Sequence, residues 1–238
     1  DVLSYVAVDP LFRKYDHNKL NFSMMYAFSE HYILPISHDE VVHGKKSLLD
    51  KQFGSYEDKF AGVRAFMGYM IAHPGKKLMF MGSEFGQFKE WNYKEGLEFF
   101  LKDYEKHNKL DRFFTELNRF YLVSEALYGD DDGWDGFEWI AADDADKNSL
   151  AFIRKCGENE IIAAINFSGA DIKYRIGVPK GSYKVAFDSD KQVYGGDGKS
   201  RKRIYNAEAI SSNGKEYSIE FDMPKLSFKY LVPVKKDN

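Results

Sequence analysis

At 238 residues with 44% apolar and 16% aromatic side chains, the chain carries enough apolar surface for one or two sizeable cores. Its 37 acidic and 34 basic residues leave a net charge of −3, too balanced to hold a polyphosphate, which argues against nucleic acid as a partner. The apolar runs, such as residues 161–165, fall far short of the roughly 20 residues of a spanning helix, which argues against a membrane partner; the single cysteine, Cys156, permits no internal disulfide, and with no basic-then-apolar leader a reducing cytoplasm is the expected location.

The text opens at Asp1 in mid-pattern, with Val2-Leu3-Ser4-Tyr5-Val6 reading as the interior of a helix and the whole as a piece of a longer protein. Residues 32–36 are short and rich in β-formers, a strand that opens into Ser37-His38-Asp39-Glu40. Ser55 and Asp58 have the spacing of a capping box, opening a helix over 57–73 whose Phe60, Val63, Phe66, Met67 and Met70 share one side; Pro74-Gly75 ends it. Residues 77–81 then read as a buried strand opening into Gly82-Ser83-Glu84-Phe85-Gly86-Gln87, and 110–127 as an amphipathic helix. This strand–helix alternation is the repeat of a (β/α) barrel.

From residue 137 the period changes. Short β-rich runs at 137–141, 150–154, 161–167, 174–178, 183–187, 218–221 and 227–234 alternate with turn residues such as Gly157-Glu158-Asn159 and Asn213-Gly214, the pattern of an antiparallel β-sandwich. The fold expected is therefore α/β plus all-β: residues 1–130 a C-terminal portion of a (β/α)8 barrel, residues 131–238 a sandwich closing its own core. Two barrel strands cannot close a barrel, so the first part is expected to expose apolar edges and the isolated chain to self-associate. No element is assigned within 188–212.

Chemistry concentrates in Leu34-Pro35-Ile36-Ser37-His38-Asp39-Glu40-Val41-Val42-His43-Gly44-Lys45-Lys46-Ser47, because the C-terminal end of a barrel strand is the catalytic face. A His–Asp pair at a strand end is by itself as readily turn or cap chemistry. The full string, however, resembles the strand-seven motif of glycogen (1,4-α-glucan) branching enzymes in the α-amylase superfamily, glycoside hydrolase family thirteen. The resemblance implies a retaining transfer by two carboxylates about 5–5.5 Å apart, around an oxocarbenium-like transition state. It implies that Asp39 and His38 bind sugar hydroxyls in that state, the carboxylate also favouring the developing cation. His43, Lys45 and Lys46 complete the string, though they are equally consistent with a solvated loop. Glu84, Glu90 and Trp91, after the following strand, would line the sugar cleft; an aromatic in such a loop packs more often than it stacks on a glucose face.

The family's nucleophile, an Asp in Arg-x-Asp, and its acid/base Glu have no match. No arginine of the chain is followed two places on by aspartate, and only 37 residues precede His38, whereas both groups come earlier in family order. The resemblance covers essentially this whole chain but only the last portion of such an enzyme. It implies no metal or organic cofactor, an α-1,4-glucan (glycogen or amylose) as partner, and a monomeric parent. Alternatives are another α-amylase-superfamily glycosidase, or a non-catalytic glucan-binding or structural module. Of the remaining motifs, His38 and His43 lie five apart, unlike a zinc HExxH pair. Gly198-Lys199-Ser200 lacks the first glycine of a phosphate loop and is read as a solvated hairpin loop, Asp130-Asp131-Asp132 reads as a linker, and Cys156 as an inert strand-end residue.

Overall fold

The computed structural model describes residues 1–235. Helix α1 (Val2–Val6) and the short α2 (Asn18–Asn21) lead into strand β1 (Ile33–Ile36), helix α3 (Tyr56–Ala72), strand β2 (Lys76–Met79) and helix α4 (Glu105–Val123). Ser55 caps α3 as its spacing predicts: its hydroxyl accepts from the Asp58 amide while the Asp58 carboxylate accepts from the Ser55 amide. Helix α4 breaks at Ser124, and residues 125–127 turn as a 3-10 helix rather than continuing it.

Strands β1 and β2 pair in parallel, Ile33 opposite Lys76 and Ile36 opposite Met79. Strand β2 is not the buried strand expected. Lys76 and Leu78 are exposed and Lys77 and Met79 half-covered, because the two-stranded sheet has one face on α3 and, among the described residues, no helix or strand over the other. Helix α3 departs in the opposite sense. It is buried on nearly every side rather than along one stripe, since it lies between this pair and a second, larger sheet.

That sheet runs β3–β4–β5–β10–β7–β8, with β3 (Phe137–Asp144), β4 (Ser149–Cys156), β5 (Asn159–Asn166), β7 (Ser182–Asp188), β8 (Ile204–Asn206) and β10 (Ser227–Pro233) all antiparallel. Strands β6 (Ile172–Val178) and β9 (Tyr217–Met223) form the facing antiparallel pair. Asn213 and Gly214, both at positive φ, make the tight turn that their dipeptide announces. Alternation along β4 and β5 explains their unbroken apolar text. Ala151, Ile153, Ile162 and Ala164 face Tyr174, Ile176, Ile219 and Phe221, whereas Leu150, Phe152, Ile161 and Ile165 face α3 and α4.

The sandwich therefore closes only part of its apolar surface by itself. The larger core is shared with the helices, and the α4 residues Phe113, Phe114 and Leu117 are fully covered by it. Several buried groups cross between the parts. The Tyr230 hydroxyl donates to Gly68 O (2.6 Å), and the Arg13 guanidinium to Phe167 O (2.7 Å). Arg154 donates to Ala72 O (2.8 Å), Gly136 O (3.1 Å) and the Asp131 carboxylate (2.6 Å). Asp131 is thus a buried ion-pair partner and not a linker residue; the run of three acids gave no sign that one of them turns inward. Lys199 is paired with Asp171 (2.8 Å) and Asp197 (3.2 Å).

Candidate active-site segment

Because β1 and β2 are parallel and in register, the segments leaving Ile36 and Met79 emerge at the same sheet edge. His38 and Asp39 lie in a 3-10 turn immediately after β1, with Ser37 in extended conformation ahead of it. The His38 Nε2 is 3.3 Å from the Asp39 carboxylate, and both side chains stand open, 54% and 70% exposed. An open carboxylate with an adjacent imidazole donor suits the hydroxyl-binding role that the residue types suggest.

The second segment closes on the first. The Trp91 amide donates to Val41 O at 2.9 Å. The Trp91 ring meets the His38 ring edge-on at 5.9 Å and the Phe80 ring at 5.2 Å, while Phe80 and His38 are 6.1 Å apart. The imidazole is thereby fixed in a three-ring cluster. Phe80 carried no sequence signal for this, since it reads simply as strand.

Glu90 is engaged differently from the expectation for a cleft residue. Its two carboxylate oxygens accept from the backbone amides of Gly44 (3.0 Å) and Lys46 (2.6 Å). Those two N–H groups hold its carboxyl below the usual carboxylate range. Glu84 is half-buried in the turn after β2 and makes no side-chain hydrogen bond or ion pair among the described residues. Lys45 reaches back to donate to Asp39 O (2.8 Å), and Lys51 donates to Lys45 O. Burial lowers the Lys51 pKa. His43 and Lys46, neither of them glycine, hold φ values of 56° and 65°. Such strain collects at functional segments. His38 and His43 lie in an exposed turn and loop rather than on one helix face, as their spacing suggests. Cys156 ends β4, its thiol pKa raised by burial.

Residues 139–234, which form most of the sandwich, match the alpha amylase C-terminal all-beta domain. The fold agrees: the α-amylase of Geobacillus thermoleovorans, solved with acarbose, superposes with a TM-score of 0.60 over 99% of this chain and 46% of that one, at 10% identity. The relatives that match nearly the whole chain at high identity are 1,4-α-glucan branching enzymes. The chain is 47% identical over 98% of its length to the branching enzyme GlgB of Halothermothrix orenii, and 48% identical over 97% to that of Fusobacterium nucleatum. It spans 38% of the length of each.

Proposed function

We propose that this chain supplies the transition-state-binding pair and the C-terminal sandwich of a retaining 1,4-α-glucan branching reaction, in which a cleaved α-1,4 chain is transferred to a 6-hydroxyl. The observation that carries this reading is the open Asp39 carboxylate beside His38, at the shared C-terminal edge of two parallel strands. Asp39 accepts from ring hydroxyls and opposes the developing positive charge, and His38, steadied by Trp91 and Phe80, donates to the same hydroxyls. Trp91 and Glu84 border the glucan. The nucleophile and acid/base come from outside these residues. The substrate is glycogen- or amylose-like glucan, the compartment is the cytoplasm, and a monomer is the working form. The proposed seam between barrel portion and sandwich lies at residue 130.

Two measurements test this. The purified chain alone should neither branch nor hydrolyse amylose in an iodine-stain assay, since two of the carboxylates that the mechanism requires are absent. In the native polypeptide containing these residues, Asp39→Asn should cut transfer about a hundredfold or more with the fold intact. A near-normal rate in that variant would show that the pair is only turn chemistry.

A further inference from the structure

The loop that follows Asp39 follows an improbable path. His43, Gly44 and Lys46 all have positive φ, and only one of the three is glycine. Such a path turns backbone N–H groups toward one side, making a concavity for an anion. Here that concavity is filled from within the chain, by the two oxygens of Glu90 at 3.0 and 2.6 Å from the Gly44 and Lys46 amides. The next residue grips the other end of the segment: the Trp91 amide holds Val41 O while its ring abuts His38. Between the two grips, Lys45 is placed to donate to Asp39 O.

We infer that Glu90 is a positioning residue, a carboxylate that locks the 41–46 loop and through it sets the placement of Asp39. This rests on the reading of Asp39 as the transition-state ligand. Both Glu90 oxygens are engaged by the loop, each accepting one of its amides. Charge-assisted bonds to two amides oppose the cost of two non-glycine residues in the left-handed region. A displacement on the order of 1 Å at a catalytic group is enough to cost about a hundredfold in rate, so a loosened loop should be felt in turnover.

The test compares wild type, Glu90→Ala, Glu90→Gln and Asp39→Asn in the native polypeptide, measuring amide exchange of the 41–47 segment, thermal midpoint, and kcat and KM on amylose. For Glu90→Ala the expected result is at least about tenfold faster exchange at Gly44 and Lys46 with the midpoint held. Its kcat should fall about ten- to a hundredfold with KM within about twofold. Glu90→Gln keeps one carbonyl acceptor and should fall between; it carries the test alone should Glu90→Ala fail to fold. Unchanged exchange, or unchanged kcat, overturns the inference, and so does a raised KM at constant kcat, which would make Glu90 a direct sugar ligand. Full activity in Asp39→Asn would instead sink the reading of Asp39, while the exchange arm still decides whether Glu90 holds the loop.

Discussion

Arg154 is the residue on which the most backbone converges. Fully buried, it donates to carbonyls of Ala72, Leu127, Asp130 and Gly136, and it pairs with Asp131. Burial pulls the Asp131 carboxyl up, but Arg154, Lys77 and Lys76 outweigh it and hold its pKa below the ordinary value. Removing one partner of a buried pair strands the other charge, at about 3–5 kcal/mol. Asp131→Ala should therefore lose about that much in urea unfolding, and a loss under about 1 kcal/mol would show the pair to be solvated. His73 makes a separate, pH-dependent contribution. It is buried between the Ser23 hydroxyl and Pro74 O, and burial pushes its pKa down to about 4. The unfolded chain, with its histidine near 6.5, binds a proton that the folded chain refuses, so stability is lost as pH falls from about 6.5 toward 4. The wild type should lose roughly 2–3 kcal/mol more than His73→Gln across that interval. Parallel stability–pH curves would remove His73 as the cause.

At the scale of the element, helix α3 and strand β10 are fitted at one point. A methyl group at Gly68 would lie 2.1 Å from the Phe228 ring, so Gly68→Ala must displace the ring or the helix. Despite the better helix propensity of alanine, the variant should lose about 1–3 kcal/mol in thermal or urea unfolding. Phe228→Leu in the same background should recover part of that loss; a neutral Gly68→Ala would mean that the contact relaxes freely. Such contacts also mark the limit of what the text shows. The capping box of α3, the strands from 137 onward and the placement of His38 and Asp39 after β1 follow from local spacing, because each depends on neighbours a few residues away. The burial of α3 on both sides, the inward turn of Asp131 and the grip of Glu90 on Gly44 do not. They depend on partners 23 to 46 residues away or more, and no period in the sequence encodes them. Residues 188–212, left without an element, hold the short strand β8 and a 3-10 turn at 192–194, both too brief for periodicity to register.

For the whole molecule, the shared core means that the sandwich is an incomplete folding unit. Leu150, Phe152, Ile161, Phe228 and Tyr230 would face water without α3 and α4. A chain cut to residues 131–238 should bind ANS and associate in size-exclusion chromatography, whereas the 238-residue chain binds far less dye; a monomeric, dye-free truncation would show that the second sheet suffices. The exposed side of β1 and β2, with Ile33, Leu78 and Met81 open, is where the full chain itself is expected to self-associate at high concentration. The buried arginines have a consequence in time as well as in space. One guanidinium nitrogen of Arg13 is satisfied by a carbonyl 154 residues further on. At about 5–20 residues per second, roughly ten to thirty seconds of synthesis separate the guanidinium from the carbonyl it needs. Two other guanidinium nitrogens already donate to Val8 O and Val6 O, so residues 6–13 can take their local shape first and dock on the sandwich only when synthesis has passed β5.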